Sequence, residues 1–200
     1  MLTKICGLTD IKEAQYLKDN NVDFAGIVLF YEKSKRNTSI EKAKEIIKNS
    51  HPSVKVVAVT VCPSEAQINE ISEAGFDYIQ IHGAIDEDII TRCPLPVLKA
   101  FNVSDIPEYD KYLKNNNIVG FVFDAGEPGS GKTFDWDMLK ELKRDENKLY
   151  ILAGGLNASN VKMAIERVNP DGVDVSSSVE YDDRLGKDPE KIKQFIENVR

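Results

Sequence analysis

Eight short apolar runs alternate with charged segments of helical period along this chain, and this alternation constrains the fold more than any other feature. The runs are rich in β-branched residues, and several are nearly continuous in apolar residues, as expected of strands covered on both faces. They span residues 2–6, 24–30, 54–61, 78–81, 96–101, 118–123, 150–153 and 172–176.

The segments between these runs carry signals that begin and end helices. Asp10 and Ser39 are candidate N-caps of two such segments. Gly75 follows a third segment, and Pro189 stands at the first helical position of the last. Helices are therefore expected over residues 10–20, 39–49, 64–74, 86–92, 104–115, 136–143, 157–167 and 188–199. Pro107 weakens the fifth, because it interrupts the first turns.

Eight strand–helix units predict a parallel sheet. Eight units can close into a barrel, and 200 residues is near the lower size limit for one. The alternative, an open doubly wound sheet, normally has a glycine-rich turn after its first strand. The segment CGLT at 6–9 lacks that fingerprint, and the glycines follow strands six and seven instead. We therefore expect an α/β fold, a single (β/α)8-barrel domain over residues 1–200.

Composition narrows the classes of partner and compartment. The net charge of −7 argues against nucleic acid, so an anionic substrate must be held by local cations and backbone amides. No apolar run approaches the roughly 20 residues of a membrane span, and the opening MLTKICGLTD has no signal-peptide core. Three widely spaced cysteines predict free thiols in the cytoplasm. With only two histidines and no Cys-x-x-Cys, a zinc site has little support.

Polar residues stand where the apolar runs end, and the active site of such a barrel lies at the carboxyl ends of its strands. Polar side chains at the tips of apolar strands are costly to bury without a partner or a purpose. In chain order they are Lys4, Cys6, Ser34, Arg36, Gln80, His82, Lys99, Asp124 and Asp174, with Gly154, Gly155, Ser176 and Ser177 in the last two loops.

Lys4, Cys6 and Asp124 are the candidates for acid–base chemistry. Lys4 and Cys6 are two residues apart on one strand and share a face, so the cation could lower the pKa of the thiol. Alternatively, Cys6 is a small buried hydrophobe, as most free cysteines are. Asp124 ends an apolar strand and must be paired, solvated or functional there. Alternatively, it is a turn residue, since Ala125 and Gly126 follow it.

The last two loops predict a phosphate site. Gly154 and Gly155 lead from strand seven into a helix, and Ser176 and Ser177 follow strand eight, where such barrels usually bind phosphate. Ordinary turn glycines would give the same pattern. Arg36 suits bidentate recognition of a carboxylate, although a loop rich in Lys and Arg is often simply solvated.

Together these segments resemble the phosphoribosylanthranilate isomerases. KICGLT at 4–9 is similar to the opening signature of that family, and Asp124 is similar to its sixth-strand acid. Further similar segments are SKR at 34–36, IQIHG at 79–83, GSGKTFDW at 129–136, AGGL at 153–156, VDVSS at 173–177 and GKD at 186–188. They occur in order and lie on six of the eight strand ends.

The resemblance implies an Amadori rearrangement in tryptophan biosynthesis, without a metal or organic cofactor. N-(5-phosphoribosyl)anthranilate would become 1-(2-carboxyphenylamino)-1-deoxyribulose 5-phosphate. Asp124 would protonate the furanose ring oxygen as general acid, and the Cys6 thiolate would remove the C2 proton as general base. The implied substrate-binding residues are Lys4, Arg36, His82, Gly154, Gly155, Asp174, Ser176 and Ser177, with Arg36 on the anthranilate carboxylate and the glycines and serines on the phosphate.

Three positions depart from the family pattern. Ser178 stands where the family usually has glycine, and it would strain the loop if that position needs a positive φ. Pro128 replaces a loop glycine, and Lys35 replaces the common proline before Arg36. None of these changes removes the acid or the base.

Two other functions remain open at this stage. A metal-dependent pentose-phosphate epimerase would need a cluster of His and carboxylate ligands, and only His82 lies at a strand end. A non-catalytic barrel kept as a regulatory or partner-binding subunit is the other, because Ser178 alters the phosphate loop. In either isomerase or epimerase the partner is a small phosphorylated substrate, and the protein is expected to be a cytoplasmic monomer or homodimer.

Overall fold

Eight parallel strands close into a barrel in the computed structural model, which describes residues 1–125 and 134–200. The strands are β1 (Leu2–Cys6), β2 (Phe24–Leu29), β3 (Lys55–Val61), β4 (Tyr78–His82), β5 (Val97–Asn102), β6 (Ile118–Asp124), β7 (Leu149–Leu152) and β8 (Gly172–Val175). Each pairs with its sequence neighbours, and β1 pairs with both β2 and β8. This closure confirms the (β/α)8 barrel over the open sheet. A two-residue strand, Asn37–Thr38, adds to the end of β2.

The helices follow the signals in the sequence. They are α1 (Ile11–Asp19), α2 (Ile40–Asn49), α3 (Glu65–Glu73), α4 (Glu87–Arg92), α5 (Tyr109–Tyr112), α6 (Val161–Val168) and α7 (Pro189–Val199). The Asp10 side chain accepts a hydrogen bond from the N–H of Lys12, and Glu13 completes a capping box. Within the described residues, no helix has both the length and the apolar character needed to cross a membrane.

The fifth and sixth helical segments differ from the expectation. The fifth is a 3-10 turn, Val103–Glu108, followed by the short α5, because Pro107 has no N–H to continue an α-helical ladder. The sixth is a 3-10 helix over Trp136–Glu141, whose buried Trp136 and Leu139 are spaced at the 3-10 period. The α6 helix begins at Val161 rather than 157, because the Asn157 side chain accepts from the N–H of Ser159 and forms a turn first.

The hydrophobic core has two layers. One lies between the barrel and its helices, and the other fills the barrel interior with residues such as Val57, Leu98, Ala100 and Ile151. Lys99 lies between two interior residues of β5 and therefore points outward, where its Nζ donates to the Ala100 carbonyl at 2.8 Å. The expectation that Lys99 belongs to the strand-end site is wrong.

Candidate active site

A cavity of about 560 Å³ opens at the carboxyl ends of the strands. Nine of the ten predicted site residues line it. They are Cys6, Arg36, His82, Asp124, Gly154, Gly155, Asp174, Ser176 and Ser177. Lys4 does not reach the cavity, because its side chain is fully buried and its Nζ is bonded to Asp174 Oδ2 at 2.7 Å.

Gly26 of β2 lets Lys4 and Cys6 of the neighbouring strand pack side by side. Cys6 is paired with Gly26 in the sheet register. A Cβ added to Gly26 would lie 2.9 Å from Cys6 Sγ and 3.1 Å from Lys4 Nζ. Any larger residue here would push the thiol and the ammonium group out of their shared place.

The pKa of the Cys6 thiol is raised above its ordinary value. Burial raises it most, the charge of Lys4 lowers it, and the charge of Asp174 raises it again. Lys4 therefore acts in the direction expected from the sequence, but burial outweighs it. The sequence pattern alone predicted a lowered pKa because it shows the neighbouring cation and not the depth of the site.

Asp124 ends β6 with its side chain in the cavity wall. Burial, followed by the charge of Asp174, raises the pKa of Asp124 to about 6, while the N–H of Ala125 and the charges of Lys4 and Arg36 oppose the rise. The Ala125 N–H donates to Asp124 Oδ1 at 2.7 Å. A carboxyl group with a pKa near neutrality can hold and release a proton under working conditions, as a general acid must.

His82 and Gln80 form a neutral pair on β4. Their Nε2 atoms lie 2.8 Å apart. Burial, and then the charges of Lys4 and Lys99, lower the pKa of His82 to about 3, so the ring is uncharged near neutral pH. The Gln80 amide therefore donates to His82 Nε2, which puts the ring proton on Nδ1. This histidine can orient a ligand but holds no proton to give as an imidazolium.

The loop after β7 passes close to the acid. Gly154 has φ +81° and Gly155 has φ +65°, a region that favours glycine. A Cβ on Gly154 would lie 2.4 Å from the Ala125 nitrogen and 3.0 Å from Asp124 Oδ1. The glycine is thus required for the approach to Asp124 as well as for the turn that a phosphate group can use.

Ser176 and Ser178 fix the loop after β8. The Ser176 hydroxyl donates to the Cys6 carbonyl at 2.8 Å, which ties this loop to the end of β1. Ser178 lies in a 3-10 turn, Ser177–Val179, with a negative φ, and its hydroxyl donates to the Leu156 carbonyl at 2.6 Å. The strain considered for a serine at this position is therefore absent, and the hydroxyl joins the two loops.

Arg36 crosses over Gly7 to reach the cavity. Gly7 has φ +84°, and a Cβ there would lie 2.4 Å from Arg36 Cδ. The Arg36 Nε donates to Glu180 Oε1, while its Nη2 is buried and has no hydrogen-bond partner among the described residues. The glycine of the KICGLT segment is thus needed for the path of an arginine 29 positions further along the chain.

Glu180 and Lys187 were missed as site residues by the sequence reasoning. Glu180 follows the 3-10 turn after β8 and is buried, and Lys187 is fully buried with its Nζ 3.1 Å from Glu180 Oε1. Lys187 Nζ also donates to the Ser176 carbonyl at 3.1 Å. Both residues lie beyond the last strand, so the strand-end argument did not reach them, although Lys187 belongs to the GKD segment at 186–188.

In the part of the chain that the structure describes, buried polar atoms without hydrogen-bond partners cluster in the cavity wall. Four residues that line the cavity carry such an atom: Arg36 Nη2, Gln80 Oε1, Asn102 Oδ1 and Asp174 Oδ1. Buried polar atoms are normally hydrogen-bonded, so this cluster indicates a polar ligand with hydroxyl donors and an anionic group.

Within residues 1–125 and 134–200, no group of three His, Cys, Asp or Glu is arranged to hold a metal ion. Pro128 and the GSGKT segment at 129–133 lie outside the described residues.

Comparison with known proteins gives consistent matches over nearly the whole chain. Residues 3–198 match the family model described as N-(5'-phosphoribosyl)anthranilate (PRA) isomerase. An N-(5'-phosphoribosyl)anthranilate isomerase of Listeria monocytogenes serotype 4a (strain HCC23) is 41% identical over 204 residues, covering 100% of this chain and 98% of the relative.

Two solved structures have the same fold. The phosphoribosyl anthranilate isomerase of Thermotoga maritima has a TM-score of 0.85 and 36% identity, covering 100% of this chain and 98% of that one. A phosphoribosyl anthranilate isomerase in complex with reduced 1-(o-carboxyphenylamino)-1-deoxyribulose 5-phosphate has a TM-score of 0.84 and 33% identity, with coverage of 100% and 98%.

Proposed function

This chain belongs to the N-(5'-phosphoribosyl)anthranilate isomerase family, and from that membership we propose that Cys6 is the general base and Asp124 the general acid of its reaction. The enzyme is an intramolecular aldose–ketose isomerase of tryptophan biosynthesis. One observation carries the assignment of roles: the thiol and the carboxyl group, 118 positions apart in the chain, line the same cavity.

Asp124 acts first. Its proton goes to the furanose ring oxygen as the C1–O bond breaks, and the lone pair of the anthranilate nitrogen forms the C=N bond of a protonated Schiff base. The carboxyl group is left as a carboxylate. A pKa of about 6 supports this role, because part of the population carries the proton near neutral pH.

Cys6 acts second. As thiolate it takes the proton from C2, and the electrons of the C–H bond neutralise the iminium to give an enolamine. The enolamine then loses its hydroxyl proton and gains one at C1 to become the ketone. The ammonium group of Lys4 favours the thiolate, and it is held behind the cavity wall by Asp174 rather than in contact with substrate.

The remaining residues bind the two anionic ends of the substrate. We assign the phosphate to the backbone N–H groups of Gly154, Gly155, Ser176 and Ser177 and to the Ser177 hydroxyl, all of which line the cavity from the loops after β7 and β8. We assign the anthranilate carboxylate to Arg36, whose buried Nη2 has no partner within residues 1–125 and 134–200. His82 and Asp174 also line the cavity, and we assign them to the sugar hydroxyls of the substrate.

The test replaces each reacting group alone. Cys6→Ala and Asp124→Asn should each lower kcat by about 10²–10⁴-fold. The rate is measured from the loss of phosphoribosylanthranilate fluorescence. Cys62→Ser is the matched control, because that exposed cysteine does not line the cavity and should leave the rate unchanged. Parent-like turnover by both Cys6→Ala and Asp124→Asn would show that the assignment is wrong.

We further propose that the main partner of the protein is its small phosphorylated substrate. We also propose that the protein acts in the cytoplasm and binds no nucleic acid. The net charge of −7 disfavours polyanions, and the three cysteines are free, as in a reducing compartment. A monomer or a homodimer is expected, and light scattering on the purified protein distinguishes them.

A further inference from the structure

Glu180 is a buried carboxylate surrounded by three cations. Its side chain is 5% exposed. Oε1 accepts from Arg36 Nε and from Lys187 Nζ, the latter at 3.1 Å, and Oε2 lies 2.9 Å from Lys35 Nζ. A carboxylate this deeply buried is stable only where opposite charges and hydrogen bonds compensate its lost hydration.

The charge of Glu180 is secured by these neighbours. Burial raises its pKa, but the hydrogen bond from Arg36, the charge of Lys187 and the hydrogen bond from Lys35 outweigh burial and lower the pKa of Glu180 to about 2. The backbone is fixed as well, because Lys191 Nζ donates to the Glu180 carbonyl at 2.9 Å. Glu180 is therefore an ionised acceptor in a fixed position.

Arg36 donates to this acceptor through Nε, whereas its Nη2 has no hydrogen-bond partner in the described part of the chain. Its stem is confined by Gly7, and its Nε is held by Glu180. The guanidinium group is planar and rigid, so fixing Nε also fixes the direction of the two terminal nitrogens. Nη2 is buried, and Arg36 lines the cavity.

We propose that Glu180 is a positioning residue that aims the Arg36 guanidinium at the carboxylate of the substrate's aromatic ring. The inference rests on the proposed role of Arg36 in binding that carboxylate. Glu180 itself does not touch the substrate in this scheme. It acts by removing the freedom of a long side chain before binding, so that less order has to be gained when the substrate arrives.

Lys187 links Glu180 to the loop after β8. Its Nζ contacts both Glu180 and the carbonyl of Ser176, a residue of the proposed phosphate site. The carboxylate-binding and phosphate-binding ends of the cavity therefore share one buried ion cluster. Glu180 is not among the groups that shift the pKa of Cys6 or of Asp124, so its replacement is expected to change binding more than the chemical step.

The experiment compares two ligands that differ only in the carboxylate. One is reduced 1-(o-carboxyphenylamino)-1-deoxyribulose 5-phosphate, and the other is the same compound without the carboxyl group. Glu180→Gln should weaken the first about tenfold by calorimetry and change the second by less than about twofold, with KM raised more than kcat is lowered. Glu65→Gln is the control, since it removes the carboxylate of the exposed Glu65–Arg92 pair and should change neither affinity.

Arg36→Met separates this inference from the proposed function. If Arg36→Met weakens both ligands equally, the carboxylate assignment of Arg36 fails, and this inference fails with it. If Arg36→Met weakens only the carboxylate ligand and Glu180→Gln weakens neither or both alike, only the positioning role is overturned. If Glu180→Gln does not fold, Glu180→Asp is the deciding variant, because it keeps the negative charge but moves it away from Arg36. Loss of affinity for the carboxylate ligand alone supports the proposal. Parent affinity for both ligands overturns it.

Discussion

Lys4 and Asp174 form a buried ion pair, with Nζ 2.7 Å from Oδ2, on the strands that end at Cys6 and at the phosphate loop. Burial lowers the pKa of Lys4, but the charge of Asp174 and then that of Cys6 outweigh it and raise the pKa, so the lysine remains a cation. The pair sets two opposing influences on the thiol, one from each charge. It therefore connects the stability of the barrel mouth to the reactivity of the proposed base.

Neutralising Asp174 should destabilise the protein and activate the thiol. Asp174→Asn leaves the Lys4 charge buried without its partner, so unfolding free energy should fall by about 3 kcal/mol in urea titrations. The substitution also removes an anion that raises the pKa of Cys6, so iodoacetamide should alkylate Cys6 faster at a given pH. Peptide mass spectrometry measures the rate of alkylation. Asp182→Asn, which breaks an exposed pair with Lys191, should change stability by less than about 1 kcal/mol. Unchanged alkylation in Asp174→Asn would contradict the argument.

The pH dependence should reflect an acid whose pKa lies below that of the base. The productive form has Asp124 protonated and Cys6 deprotonated. With the pKa of Asp124 at about 6 and that of Cys6 raised, this form increases up to about pH 6, stays constant, and decreases above the pKa of the thiol. We expect kcat/KM to show that rise and plateau. A profile that falls steadily from pH 5 to pH 8 would mean that the acid or the base is another group.

The strands could be predicted from the sequence because each is buried on both faces and therefore reads as an apolar run. Their observed bounds lie within one residue of the expected ones, as for β1 (Leu2–Cys6) and β8 (Gly172–Val175). The sequence places Lys99 at the correct end of the barrel but gives its side chain the wrong direction. A position near a strand end shows which end of the barrel a residue lies at, whereas the direction of the side chain depends on the alternation along β5.

The site could be predicted only where its residues lie at strand ends. Arg36 and Glu180 are 144 positions apart, and no periodicity or turn signal links two such residues before the barrel closes. The raised pKa of Cys6 was also beyond the sequence, because burial depth is a property of the folded mouth. The sequence pattern does show which residue types lie at the carboxyl ends of the strands.

Gly154 should be required for its closeness to the acid and not only for its backbone angle. Gly154→Ala must accommodate φ +81° and a Cβ 2.4 Å from the Ala125 nitrogen, so both stability and kcat should fall, kcat by about tenfold or more. Gly75→Ala is the matched control, because it has φ +92° but nothing within 4 Å of the added Cβ. It should lose only about 1 kcal/mol of stability and keep its kcat. Equal effects of the two substitutions on kcat would refute the role assigned to the close approach.

Ser178 should strengthen phosphate binding by joining the loops that follow β7 and β8. Its hydroxyl donates to the Leu156 carbonyl at 2.6 Å, and a hydrogen bond of this kind stabilises by about 1 kcal/mol. Ser178→Ala should therefore raise KM and the inhibition constant of inorganic phosphate about threefold to fivefold, with kcat within about twofold, since neither Cys6 nor Asp124 is touched. Ser159→Ala removes an exposed hydroxyl that donates to the Asn157 side chain, and it should alter neither constant. If Ser178→Ala binds phosphate as tightly as the parent enzyme, the contact with Leu156 orders the loops without serving the ligand.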